Sequence, residues 1–379
     1  MRALLCCRHA MKFANCCDCP IRRRSVGLRF NSCCASVAFP TSIYKPVTNM
    51  WVWQIVALLF TWKILFVLVF GPNLIAYLIH QLLLGYYCKD RDLKRRYNAQ
   101  WGLVTGASSG IGKALALRMA DQGINVVLIA KPDKLLDETY AEMQGIYKHL
   151  QIRKVAVDLS EPGKYLEPIA EATKDIDVQL IFNNAGYMLT GFFERWSLKD
   201  HLQNIECNST SAVAITHHFL SKMIDNKLKG CIVFTSSAAA CIPSPFGVTY
   251  AATKSFLSSF GASLAPEVKA LGVDIMVAHP SPVASRFYNG AHGLSTLKMF
   301  QKLGVPAEEL PSVIFSGIGR TVHRDIGPTA VLFRLLVKWL DYNLFAFIIC
   351  FIAPWMTDYK QAQTQESRRK PVSNGSNLK

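Results

Sequence analysis

The sequence predicts an α/β protein, a doubly wound parallel sheet preceded by N-terminal membrane helices. Three observations carry that expectation. Short β-branched runs alternate with helical segments through the middle of the chain. A glycine-rich turn joins the first of these runs to the first helix after it. A long apolar stretch stands ahead of both.

Residues 1–49 form a basic, cysteine-rich arm. Eight Lys/Arg stand against one acid, Asp18, within the first 50 positions, and seven of the twelve cysteines fall before position 35. Such a composition fits an organelle-targeting segment or a cytosolic arm, and does not separate the two. Zinc is disfavoured because no C-x-x-C pair with matching partners occurs, while lipidation of some of these thiols stays open. Met50 offers an alternative start.

The membrane anchor is expected over 50–88. Trp51–Phe70 supplies twenty predominantly apolar residues, enough to cross a hydrocarbon core of about 30 Å. Lys63 lies within it, at a cost of about 3 kcal/mol that the surrounding Leu, Ile, Val, Phe and Trp can offset. As one straight helix, Trp51–Tyr87 would reach about 55 Å, so a turn is expected at Gly71-Pro72. The result is a hairpin, or a spanning helix followed by an interfacial one. Lys89–Arg96 then carries five basic residues against two acids, a cytosolic flank.

Six strands follow: Trp101–Thr105, Asn125–Ala130, Lys154–Asp158, Val178–Asn183, Gly230–Thr235 and Val273–His279. Separated by helices, they make the parallel sheet of a domain over 97–290. Residues 291–357 read as a substrate-covering, membrane-associated segment; Leu344–Trp355 is apolar but too short to span alone. Residues 358–379 read as a disordered polar tail. The net charge of +16 collects around the apolar stretches, which argues for a membrane and against nucleic acid. Cys207, Cys231 and Cys241 show no disulfide spacing.

Chemistry concentrates at five places. Thr105-Gly106-Ala107-Ser108-Ser109-Gly110-Ile111-Gly112 follows a strand and opens a helix. Its glycines let the backbone approach a pyrophosphate received at the helix N-terminus. The second strand ends in Lys131 where an acid would favour NAD, and a lysine can pair with a 2′-phosphate, so NADP(H) is expected over NAD(H). Asp158-Leu159 is placed for the adenine, and Asn184-Ala185-Gly186 lets a cofactor lie against the sheet edge. The fifth strand leads into Ser237, and Tyr250 and Lys254 follow four residues apart on one helix face. An ammonium beside a phenol stabilises the phenolate and tunes it for proton transfer, while Ser237 holds the substrate oxygen.

In order and spacing, Thr105–Gly112, Asn183–Gly186, Ser237, Tyr250 and Lys254 resemble the short-chain dehydrogenase/reductase family over roughly residues 98–290. The resemblance implies a Rossmann-type sheet and a catalytic tetrad of Asn208, Ser237, Tyr250 and Lys254. In that tetrad the asparagine supports a water linked to the lysine, and the lysine also binds the nicotinamide ribose. One departure stands out. Where the family has Pro-Gly after its sixth strand, this chain reads Pro280-Ser281, although Pro280, Val283 and Ser285 keep the cofactor-loop pattern.

The membrane lead and the Gly110–Lys131 segment are similar to the subgroup of very-long-chain 3-oxoacyl-CoA reductases and 17β-hydroxysteroid dehydrogenases. That similarity implies an endoplasmic reticulum membrane, a catalytic domain facing the cytosol, NADP(H) and a lipid-like substrate such as a 3-oxoacyl-CoA of fatty acid elongation or a steroid. Retinoid or other lipid dehydrogenase chemistry and a non-catalytic NADP(H)-binding sensor or scaffold are the alternatives; family members often pair as dimers or tetramers, which leaves a homodimer open for this chain. Asn374-Gly375-Ser376 is a glycosylation acceptor that would report the side of the tail.

Overall fold

The computed structural model describes residues 50–284, 287 and 304–366. The arm 1–49, Ser285 and the tail beyond 366, Asn374 included, lie outside the described residues. The chain divides into two units at Leu59/Phe60. The first contributes only the helical residues from Met50 onward, and the second holds the sheet and every element around it.

Helix α1 spans Met50–Leu82 and passes through Pro72 without a break, followed by a π-helical turn at Leu83–Tyr87. The turn expected at Gly71-Pro72 is therefore not where the helix ends. A proline inside a helix removes one backbone bond and costs about 3 kcal/mol, and the helix-forming run on either side is long enough to carry the interruption. Among the described residues no single helix is long and apolar enough to cross a membrane.

After α2 (Leu93–Tyr97) the sheet begins. Strands β1 (Trp101–Thr105), β2 (Asn125–Ala130), β3 (Ile152–Ala156), β4 (Val178–Asn183), β5 (Gly230–Thr235) and β6 (Val273–Pro280) alternate with helices. These helices are α3 (Gly110–Asp121), α4 (Lys134–Ile146), α5 (Leu166–Ala172), α6 (Leu198–Ile205), α7 (Ser211–Asp225) and α8 (Val248–Lys269). Every residue of β1, β4, β5 and β6 is buried, as expected of strands covered by helices on both faces. Two packed cores result, one led by Leu103, Ile181 and Phe234 and the other by Leu128, Phe182 and Phe315.

Two short strands, β7 (Val283–Ala284) and β8 (Val305–Pro306), pair with each other. A further strand, β9 (His323–Ile326), closes the main sheet in the order β3-β2-β1-β4-β5-β6-β9, parallel throughout. The sequence pattern yields six of these seven strands. It misses β9 because His-Arg-Asp-Ile is polar and short, and it sets β3 two residues late.

The C-terminal part adds α9 (Leu310–Gly317), α10 (Pro328–Trp339), α11 (Tyr342–Ile352) and α12 (Thr357–Glu366). Pro328–Trp339 and Tyr342–Trp355 meet at a bend of 115° and together have the length and apolarity of a broken span. Leu332, Trp339, Leu344, Phe347, Phe351 and Trp355 are exposed along them. The basic flank before the sheet is partly used internally. Arg96 donates to Asp274 at 2.7 Å, Tyr97 Oη donates to the same carboxylate at 2.6 Å, and Asp90 takes Arg118.

Candidate active site

The site forms where β1, β4 and β5 end, the usual place for a ligand in an open parallel sheet. Thr105 closes β1, and its Oγ1 accepts from the amides of Asn184 and Ala185 at 2.9 and 3.0 Å. Asn184 Nδ2 donates back to the Thr105 carbonyl at 3.2 Å. The turns after β1 and β4 are thus tied to each other. Gly106 and Gly110 have φ of +67° and +55°, conformations that favour glycine. A Cβ on Gly112 would stand 2.1 Å from the Gly106 carbonyl oxygen, and one on Gly106 would stand 2.9 Å from the Ala185 Cα. The cradle is lined by bare backbone and would be filled by any side chain.

Ser109 precedes α3 in extended conformation, its side chain caps no amide, and the first turn of α3 carries no acid. The N–H groups of that turn and the helix dipole suit a phosphate. Thr139 Oγ1 holds the Ser108 carbonyl at 3.0 Å, and Ile111 packs on the core. A dinucleotide therefore fits the residues present.

Lys131 follows β2 and pairs with Asp158 at 3.0 Å, its ammonium lying 5.8 Å from the ring centre of Tyr187. Asp158 also takes the amide and hydroxyl of Ser160, which with Lys131 hold its pKa below the usual value against the opposing effect of burial. Leu159 beside it is buried. The two positions expected to read the adenosine end are thus joined to each other.

Asn208 sits in a π-helical turn (Glu206–Thr210) between α6 and α7, the kind of bulge often found at functional sites. Its amide is held at both ends. Nδ2 donates to the Tyr187 carbonyl at 2.9 Å and Thr253 Oγ1 at 3.2 Å, while Oδ1 accepts the Tyr187 amide at 2.9 Å. Lys254, buried on α8, donates from Nζ to the Thr235 carbonyl at 2.8 Å, and desolvation lowers its pKa to about 8. A Cβ on Gly186 would meet Asn208 Oδ1 at 3.1 Å and Lys254 Nζ at 3.2 Å, so the missing side chain is what lets these two groups face one space. Tyr250 lies one turn earlier, buried, with Lys254 Nζ 5.7 Å from its ring centre. Ser237 follows β5 and accepts the Ala239 amide at 3.2 Å.

A model of the family described as short chain dehydrogenase matches residues 100–291, just over half of the chain. The chain belongs to that family. It is a short-chain oxidoreductase, of a family that binds NAD(P). Hydroxysteroid dehydrogenase-like protein 1 of Gallus gallus is 31% identical over 60% of this chain and 68% of its own length. The very-long-chain 3-oxoacyl-CoA reductase of Mycosarcoma maydis is 26% identical over 76% of this chain and 79% of its own. The Homo sapiens protein named inactive hydroxysteroid dehydrogenase-like protein 1 is 32% identical over 51% of this chain, and the match spans only 58% of that relative. Among solved structures, a 7β-hydroxysteroid dehydrogenase superposes with a TM-score of 0.58 at 22% identity, over 73% of this chain and all of its own. A short-chain dehydrogenase from Sphingobium yanoikuyae in complex with NADPH does so at 0.55 and 24%, over 60% and 87%. At those identities the structures establish the fold.

In this short-chain dehydrogenase Pro280 ends β6 and Val283 lies on β7. Ser281, the departure from the family pattern, is buried; its Oγ accepts the Ala330 amide at 3.0 Å and its amide donates to the Ile326 carbonyl at 2.7 Å. The hydroxyl caps the first turn of α10, a task glycine could not perform.

Sequence reasoning missed an aromatic cluster near Tyr250. Phe192, Phe246 and Tyr359 meet edge to face, with centroids 5.3 to 6.3 Å apart, and Phe287 lies 5.6 Å from Tyr250. Phe246 holds φ at +64° and its carbonyl accepts the Gly191 amide, backbone strain of the kind that collects at functional sites. More than a hundred residues separate Tyr359 from its partners, so no local signal could have joined them.

Proposed function

We propose that this chain is a membrane-anchored, NADP(H)-dependent oxidoreductase that reduces a ketone or oxidises an alcohol on a lipid substrate, a 3-oxoacyl-CoA or a steroid. The observation that carries the chemistry is the shared space in front of Gly186, bounded by Asn208 and Lys254, with Tyr250 one turn away. When bound, the nicotinamide dinucleotide supplies or accepts the hydride. Tyr250 Oη gives the proton to the nascent alkoxide, or takes it from an alcohol. Ser237 Oγ donates a hydrogen bond to the same substrate oxygen. Lys254 favours the phenolate by its charge. Asn208 fixes the Tyr187 backbone and the π-helical turn beside the lysine.

A lipid substrate takes support from the aromatic cluster near Tyr250 and from the apolar surface of α10 and α11, where a membrane-dissolved molecule would arrive. Both named reductase and hydroxysteroid relatives point the same way. Trp51–Phe70 is the anchor, and the endoplasmic reticulum with a cytosolic catalytic domain is its place. NADP(H) takes support from Lys131, since an ammonium has three donors and pairing with Asp158 leaves others for a 2′-phosphate.

The test is oxidation of NADPH and NADH by detergent-solubilised protein against 3-oxoacyl-CoAs, ketosteroids and retinal. Turnover that prefers NADPH, is lost in Tyr250→Phe, and shifts at least tenfold toward NADH in Lys131→Ala is the expected result. NADPH binding without turnover on any substrate would favour the sensor reading, which draws on the human relative named inactive.

A further inference from the structure

Behind Lys254, away from the reacting face, lies a buried polar chain that the proposed chemistry does not use. The carbonyl oxygen of Lys254 accepts Ser236 Oγ at 2.7 Å and is 2.9 Å from Ser258 Oγ; the two serine oxygens are themselves 2.9 Å apart. Ser258 Oγ lies 2.9 Å from His279 Nε2. His279 is completely buried at the end of β6, and its Nδ1 has no hydrogen-bond partner among the described residues. That nitrogen points toward Asp325 Oδ1 on β9, 3.6 Å away. Asp325 is gripped in turn by Arg334 of α10, at 3.0 and 3.1 Å, and by Tyr77 Oη of α1 at 2.9 Å. The ring of His323 packs against His279 at 5.0 Å, and its Nε2 lies 3.2 Å from the Ser258 carbonyl.

Burial lowers the His279 pKa to about 3, so the imidazole is neutral at working pH and carries one proton on one nitrogen. A lone pair on Nδ1 would face the Asp325 carboxylate and be repelled. The proton therefore belongs on Nδ1, leaving Nε2 to accept the Ser258 hydroxyl. Ser236, on the other side, then donates to the Lys254 carbonyl. The backbone of Lys254 is held by Ser236, just after β5, and the next turn of its helix is held from β6 by His279.

We propose that His279 is a positioning residue for Lys254, oriented by Asp325 and acting through Ser258, and that Tyr77 and Arg334 join this chain to α1 and α10. The proposal rests on the functional reading above for the role of Lys254. No catalytic contact is required of His279 itself.

Two measurements test it. Steady-state kinetics of His279→Leu should show kcat reduced about tenfold or more with KM little changed and the pH-rate profile displaced. His279→Gln, whose amide can reach Ser258, should recover most of the rate, and Asp325→Asn should fall between them. Independently of turnover, 13C NMR of lysine-labelled protein should show the Lys254 titration moved upward in His279→Leu, toward the ordinary lysine value, and restored in His279→Gln. NADPH fluorescence and thermal unfolding identify variants that fold. A folded His279→Leu with unchanged kcat, pH profile and Lys254 titration would overturn the proposal. A wild-type chain inactive on every carbonyl would instead defeat the functional reading, and the NMR measurement would still decide the role of His279.

Discussion

At Lys254 one amine serves both stability and chemistry, and the two respond to pH in opposite directions. An unfolded lysine titrates near 10.5, whereas burial brings this one to about 8. Between those values the unfolded chain holds the extra proton, so the contribution of this group to stability rises with pH across that window. In the proposed mechanism its charge favours the Tyr250 phenolate, and the charge is lost above about 8. Ketone reduction is therefore expected to decline as pH passes through 8 while the melting temperature does not fall with it. Lys254→Met should lower kcat/KM by roughly a hundredfold or more and leave the fold intact, because a buried charge is replaced by a side chain that needs no partner. A rate flat from pH 7 to 9.5 in the wild type would contradict this. Spacing in the sequence singled out Ser237, Tyr250 and Lys254 as candidates, and the family resemblance added Asn208. It could not find the Thr235 carbonyl that receives Lys254, or His279 behind it, because a backbone acceptor and a buried imidazole have no pattern of their own.

Between elements, the approach of β1, β4 and α3 sets the cofactor cradle, and two glycines separate its steric demand from ordinary helix propensity. Gly112 stands where a Cβ would press on the Gly106 carbonyl at 2.1 Å and on Asn184 Nδ2 at 2.8 Å. The first contact is with backbone, which cannot swing aside. Gly112→Ala should weaken NADPH binding at least tenfold and lower the melting temperature by several degrees, at about 2–4 °C per kcal/mol for a domain of this size. Gly145, near the end of α4, has nothing within 4 Å of its Cβ position. Gly145→Ala should raise stability by up to about 1 kcal/mol through helix propensity alone, with dinucleotide affinity unchanged. Fluorescence titration and thermal unfolding of both variants check the pair. Alternation and β-branching made most of this architecture legible beforehand. The exception, β9, is stabilised by partners far away in sequence. Arg324 donates to Gln81 at 2.7 Å, Asp325 receives Arg334 and Tyr77, and His323 lies 3.2 Å from the Ser258 carbonyl. A strand whose polar side chains are satisfied only in the folded state looks like a loop to any local reading.

For the molecule as a whole, the proposed membrane association has to be reconciled with a net charge of +16. Part of the basic flank after the apolar lead serves the fold, since Arg96 is committed to Asp274. The remaining positive charge at residues 1–49 and around Lys89–Arg95 stands on both sides of the apolar lead, and positive flanks stay cytosolic. Under the proposed membrane association, both ends of the lead stay on the cytosolic side, and the unbroken helix Met50–Leu82 lies along one leaflet. The exposed apolar residues of α10 and α11 offer a second surface for the proposed membrane association. Two contacts should hold more firmly than one, because the second is made at high effective concentration once the first has formed. The full chain in microsomes is thus expected to resist extraction by alkaline carbonate. Leu58→Arg with Leu68→Arg should loosen it, and Phe347→Asp with Phe351→Asp added should release it into the supernatant. The native acceptor at Asn374 should stay unglycosylated throughout. Glycan at Asn374 would put the tail in the lumen and overturn the cytosolic assignment. Release by the α11 pair alone, with the lead intact, would move the anchor from the N-terminal helix to the bent C-terminal one.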